Sequence, residues 1–197
     1  MRLILVRHGQ TDHTLHCRYQ GHLDISLNQT GLEQADKLVS RLSRDKIDAI
    51  YTSDLRRCVQ TVERVAKIHK LEVQKDARWR ELSFGKWEGL SYQEIRSAFP
   101  ELLEKWQADP AHVSPPMGET LAQLAERVKS ALDEIRSKHA EQTVLLCTHH
   151  GPIRALLCLA LNLGLNRYWQ FGIASASISE VSFYEDGAIV NSLNVVE

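Results

Sequence analysis

Long apolar runs are missing from this chain of 197 residues. The longest, Ala155 to Leu165, is interrupted by Asn162. A bilayer-spanning helix needs roughly 20 apolar residues, so no membrane span is expected. The apolar run behind Arg2 stops at Arg7, too short for a secretory signal, and no signal peptide is expected. Charge of one sign is also missing. The net charge is −1, with 24 Lys+Arg against 25 Asp+Glu and no basic run, which argues against nucleic acid as a partner. Cysteine is sparse and unpaired in pattern: Cys17, Cys58, Cys147 and Cys158 form no C-x-x-C. Reduced thiols in the cytoplasm are the simplest expectation. The Asp-x-Asp-x-Thr pattern of a magnesium phosphatase does not occur. Cys58 and Arg64 have the spacing of a thiol phosphatase loop, but Val59 to Glu63 holds no glycine and reads as helix, so that chemistry is set aside.

What remains is an ordinary globular composition, 43% hydrophobic and 25% charged, long enough for one good core. The apolar pattern alternates between strand-like and helix-like segments. Leu3 to Val6 reads as a buried strand. Thr30-Gly31-Leu32-Glu33 resembles a capping box opening a helix to about Leu42. Strand Ile47 to Thr52, helix Leu55 to His69 and a short strand Leu71 to Val73 follow. Ser91-Tyr92-Gln93-Glu94 is a second capping-box candidate, and Pro100 suits the first turn of another helix. Asp109 to Gly118 reads as a loop, Glu119 to Ser137 as an amphipathic helix, Thr143 to Cys147 as a strand, and the segment from Ile153 as an apolar helix. Two strands, Ser177 to Tyr184 and Ala188 to Val195, flank a hairpin signal at Glu185-Asp186-Gly187. The expected fold is α/β: a three-layer α/β/α sandwich around a mostly parallel sheet with an antiparallel edge, as one domain over 1–197.

The chemistry is concentrated where strands end. Arg7-His8-Gly9 follows the first strand, and His149-His150-Gly151 follows the strand ending near Cys147. Ligands of open α/β sheets bind at that carboxyl edge. An imidazole can attack phosphorus and hold the group covalently. Guanidinium matches phosphate geometry, and Arg57, opening a helix after a strand, adds a second one. His149 would be a further cationic donor. Glu81, in an aromatic-rich loop, is a candidate general acid, kept protonated by apolar surroundings. His13, His16 and His22 lie close together, but a polar loop explains them better than a metal site. Trp79 and Trp87 read as packing rather than substrate platforms.

Four motifs in series carry a resemblance. Leu5-Val6-Arg7-His8-Gly9-Gln10-Thr11, Ser53-Asp54-Leu55-Arg56-Arg57, Glu81 with Phe84-Gly85-Lys86-Trp87-Glu88-Gly89, and Thr148-His149-His150-Gly151-Pro152-Ile153-Arg154 resemble the histidine phosphatase superfamily, the phosphoglycerate mutase-like fold. The resemblance implies that His8 is phosphorylated, that Arg7, Arg57 and His149 hold phosphate, and that Glu81 donates the proton, with no metal or other cofactor. Thr14 stands where the family often has Asn, and His150 where it usually has Gly; both are candidate phosphate contacts. Gln20, Gly21 and Glu119 are candidate substrate contacts, with Glu119 the reserve acid. Within the family the chain is most similar to α-ribazole phosphatases of cobalamin synthesis. A broad-specificity phosphatase and a cofactor-dependent phosphoglycerate mutase are the rivals, and a non-catalytic phosphate-binding module is a third. The expected partner is a small phosphorylated metabolite.

Overall fold

The computed structural model describes residues 1–196. Its centre is a six-stranded sheet in the order β3-β2-β4-β1-β5-β6. Strands β1 (Arg2–Arg7), β2 (Ala49–Thr52), β3 (Val73–Lys75) and β4 (Thr143–Thr148) run parallel; β5 (Ile178–Phe183) and β6 (Ala188–Val195) form the antiparallel edge. The mostly parallel sheet and its antiparallel edge are those expected.

Side chains of β1 alternate between two separate cores. Leu3 and Leu5 pack with α6 (Leu121–Lys138) and α7 (His150–Ala160), while Ile4 and Val6 pack with α2 (Gln29–Leu42) and α3 (Arg56–His69). A parallel strand covered on both faces must be apolar throughout. This is why the run of four apolar residues is central strand and not edge. Two shorter helices, α4 (Tyr92–Ala98) and α5 (Pro100–Ala108), extend the first layer and supply Ile95, Leu103 and Trp106 to it.

Several boundaries differ from expectation. Helix α2 starts at Gln29 because Asn28, not Thr30, caps it, accepting the Gly31 amide on its side-chain oxygen. The loop from Gln10 to Asn28 contains a short helix, α1 (Asp12–Leu15), closed by a capping box of Thr11 and Thr14. Strand β3 begins at Val73 rather than Leu71, because Lys70 is left-handed and the Leu71 amide still bonds Ala66. Helix α7 begins at His150, not Ile153; Pro152 lies in its first turn, where its missing N–H has no intrahelical partner to lose.

The register sets Arg7 beside Thr148, so the residues just beyond, His8 and His149, emerge together. The His8 amide bonds the Thr148 carbonyl at 2.9 Å. Behind them, α2 enters so close that a Cβ on Gly31 would collide with the Gln10 backbone. Gly31→Ala is therefore expected to push the loop after His8 outward. Overpacking of this kind costs about 1–3 kcal/mol, which lowers Tm on the order of 2–12 °C in a domain of this size. Displacing a reacting loop by about 1 Å can reduce turnover roughly 10²-fold. Thermal melts and steady-state rates of the variant test both.

Candidate active site

Arg7, His8, Arg57, Glu81 and His150 line one cavity of about 400 Å³ at the carboxyl edge of the sheet. The sequence separated them by more than 140 residues; the parallel arrangement of β1, β2 and β4 gathers them.

His8 is almost fully buried, and its Nδ1 lies 2.7 Å from the Gly9 carbonyl. A carbonyl only accepts, so Nδ1 carries the hydrogen and Nε2 keeps its lone pair. Burial, then Arg57 and Arg7, hold the His8 pKa well below its usual value. The ring is neutral at pH 7, the state that can act as a nucleophile.

Three of the four arginines of this cavity, Arg7, Arg57 and Arg154, are held in an unusual way. Arg7 donates to the Ile173 carbonyl at 2.6 Å. Arg57 donates to the carbonyls of Leu23 and Gly21 at 2.7 and 2.9 Å, and through Nε to His149 Nδ1 at 3.1 Å. Arg154 donates through Nε to the Phe171 carbonyl at 2.6 Å. Among the described residues none of the three forms an ion pair with a carboxylate. Carbonyls orient a guanidinium without neutralising it, which leaves the charge for an anion.

His149 corrects one expectation. It is fully buried and sits behind the cavity wall, its ring edge-on to His8 at 5.1 Å. Burial, then Arg57, depress its pKa far below the usual range. It is a neutral imidazole that supports Arg57, not a resident cation. His150 does reach the cavity, but burial and the nearby Arg7 and Arg154 lower its pKa to about 3, so it adds no charge at neutral pH.

Glu81 also differs from expectation. Its surroundings are polar: Oε1 accepts the amides of Leu82 and Gly151, each at 2.9 Å. A Cβ on Gly151 would strike this carboxylate, so the glycine admits it. Arg127, which the sequence did not single out, secures the loop from below. It donates to the carbonyls of Arg78 and Arg80 at 2.7 Å and of Glu81 at 2.8 Å.

The weaker candidates separate. Thr14 lines the cavity, yet its hydroxyl proton is given to the Thr11 carbonyl at 2.8 Å. Gln20 lines it too, with Oε1 taken by the Thr11 hydroxyl. Gly21 is not on the wall and serves through its carbonyl on Arg57. Glu119 is drawn out of the cavity into an ion pair with Arg127 and caps the Ser83 amide, so it is no reserve acid. His22 bonds the Glu81 carbonyl through Nε2. Trp79 and Trp87 are core residues. Sequence reasoning missed Trp106, Tyr168 and Trp169, which build the far wall with Arg154; only Arg154, four residues past His150 on one helix, carried a signal.

Comparison with known proteins agrees with this geometry. Residues 3–196 match the model of the histidine phosphatase superfamily, branch 1. The chain belongs to this superfamily. It is a phosphoric monoester hydrolase of the histidine-phosphatase type. It is 37% identical to phosphoserine phosphatase 1 of Hydrogenobacter thermophilus over 195 residues, covering 99% of this chain and 92% of that one. It is 27% identical to the adenosylcobalamin/alpha-ribazole phosphatase of Escherichia coli, covering 98% and 96%. The solved mycobacterial glucosyl-3-phosphoglycerate phosphatase in complex with VO3 superposes with a TM-score of 0.91 at 29% identity, covering 99% of both chains.

The depressed imidazoles have a consequence for stability. An unfolded histidine titrates near 6.5. His8, His149 and His150 resist protonation when folded, so below pH 6.5 the unfolded chain binds protons that the native state refuses. Their contribution is complete above pH 6.5 and is lost as pH falls, for His150 down to about 3. Each group contributes up to about 1.4 kcal/mol per pH unit. Denaturant unfolding from pH 7.5 to 5 should show this fall, and a His8→Asn, His149→Asn double variant should show a shallower one. An unchanged slope would mean that both rings take up protons in the folded protein as readily as in the unfolded chain.

Proposed function

We propose that the protein hydrolyses phosphate monoesters of small metabolites through a phosphohistidine on His8, without a metal ion. The observation that carries this reading is the His8 tautomer. Its Nδ1 is tied to Gly9 O at 2.7 Å, which leaves the Nε2 lone pair for phosphorus, and two uncompensated guanidiniums, Arg7 and Arg57, share its cavity.

In the first step His8 Nε2 forms the bond to phosphorus while the ester oxygen leaves with its electron pair. Arg7 and Arg57 take the charge spread over the phosphoryl oxygens. His149 keeps Arg57 in place. Glu81 gives its proton to the departing alkoxide. In the second step Glu81 takes a proton from water, the hydroxide oxygen bonds phosphorus, and the electrons of the N–P bond return to Nε2. Free His8, inorganic phosphate and a protonated Glu81 result, so the cycle closes.

The relatives support a phosphatase more than a mutase, and their substrates differ from one another. α-Ribazole 5′-phosphate is a second reading of the substrate. The aromatic wall of Phe84, Trp106 and Trp169 favours its planar base, while 37% identity to a phosphoserine phosphatase against 27% to the ribazole enzyme ranks it lower. A reducing compartment, the cytoplasm, suits the four free thiols.

Three measurements test the reading. Hydrolysis should persist in excess chelator; restoration by a divalent ion after dialysis would refute the metal-free mechanism. Brief mixing with labelled substrate and an alkaline quench should place label on the peptide holding Arg7-His8-Gly9, since phosphoramidates survive base. Label on Cys58 or a serine would overturn the assignment. Glu81→Gln should slow an alkyl phosphate roughly 10²–10⁴-fold and p-nitrophenyl phosphate far less, because nitrophenolate leaves without a proton. Single-turnover phosphorylation rates make the comparison; equal losses would reduce Glu81 to a positioning role.

A further inference from the structure

Beyond the phosphate pocket, the cavity carries one more cation that the hydrolysis mechanism does not use. Arg154 is half-buried on α7, one turn past His150. Its guanidinium lies over the rings of Tyr168 and Trp169, 5.3 and 5.5 Å from their centroids, and its Nε is fixed to the Phe171 carbonyl. The side chain is therefore clamped on three sides. Arg18, the fourth arginine of the cavity, is paired with Glu94 at 3.0 Å; Arg154 has no such partner among the described residues.

Its position follows from the acid. Glu81 must touch the oxygen of the leaving alcohol. Tyr168 closes on the Glu81 carboxylate from the side of Gly151: a Cβ there would meet Glu81 Oε1 and, at 3.0 Å, the Tyr168 hydroxyl. Arg154 packs on Tyr168. The guanidinium thus flanks the alcohol half of the substrate, whereas Arg7 and Arg57 flank the phosphoryl half. Three guanidiniums then face a phosphate dianion, so the phosphoryl group leaves one positive charge unmatched.

We propose that Arg154 is a specificity-determining residue that pairs with a carboxylate borne by the alcohol part of the substrate, a reading that rests on the phosphomonoesterase assignment above. A guanidinium presents its N–H groups as a planar fork that fits a carboxylate. Clamped in advance by the rings and the Phe171 carbonyl, it loses little freedom on binding. The cavity of about 400 Å³ suits a small phosphorylated acid.

Two matched substrate pairs differ in that carboxylate alone among their charged groups: 3-phosphoglycerate against glycerol 3-phosphate, and L-phosphoserine against phosphoethanolamine. The native protein should favour the acid of each pair by about tenfold or more in kcat/KM, the range of a hydrogen-bonded charge pair. Arg154→Met should bring the ratio to within about threefold, through KM of the acids; Arg154→Lys should keep part of the preference. Because the readout is a ratio, a general loss from misfolding cancels. The proposal is overturned if the native protein shows no preference, or if Arg154→Met slows both members of a pair equally, which would place Arg154 on the phosphate or in the fold. If neither the pairs nor p-nitrophenyl phosphate are hydrolysed, the phosphomonoesterase reading itself fails.

Discussion

Everything at the carboxyl edge depends on burying arginine without neutralising it. Arg57 is fully buried, and its guanidinium spends its hydrogen bonds on two carbonyls and one imidazole nitrogen. A carboxylate in those places would satisfy the same N–H groups but cancel the charge. Desolvation works against an unpaired buried cation, and it lowers the pKa of Arg7 and Arg57 accordingly. The fold sustains this tension through main-chain geometry. The loops that offer Gly21, Leu23, Phe171 and Ile173 carbonyls must stop in set places, and the short α1 helix, the Asn28 cap and the turn before β5 fix where they stop.

Burial, and then the same cations, set the state of the imidazoles. Positive charge nearby and the lack of water both disfavour a second proton on His8. One arrangement therefore gives a site hungry for anions and a histidine that keeps its lone pair. Glu81 completes the arrangement from the opposite wall, carried on a loop that Arg127 ties down by three carbonyls.

The sequence made the framework legible for reasons that are physical. Strands β1 and β4 are covered on both faces, so they had to be uninterrupted apolar runs, and the polar residues directly after them had to sit at the sheet's edge. Ser91 and Pro100 marked helix starts through local bonding that needs no tertiary context. The errors arose where tertiary context decides. The last helix was expected from Ile153 but begins at His150, with Pro152 in its first turn. Glu81 looked apolar by its neighbours in sequence, yet its neighbours in space are two amides. His149 was expected on the phosphate and His150 only as a further contact, but the structure sets His149 behind the wall and His150 on it. Tyr168 and Trp169 come from a turn with no pattern of its own, so nothing in the sequence linked them to the site.

That last group bears on why relatives of one architecture act on different esters. The phosphoryl half of the cavity is built from strand ends and helix starts, β1 with Arg7 and His8 and α3 with Arg57, while His149 at the end of β4 supports Arg57 from behind. These positions are fixed by sheet register and cannot shift without breaking two cores. The alcohol half is built from the α5 helix, the outer turns of α7 and the segment around Tyr168, which pack on the edge of one core. Substitutions there change the wall without moving the nucleophile. A chain can thus keep its phosphoryl chemistry under tight structural constraint while the choice of ester is written in side chains, Arg154 among them, that the sheet does not control.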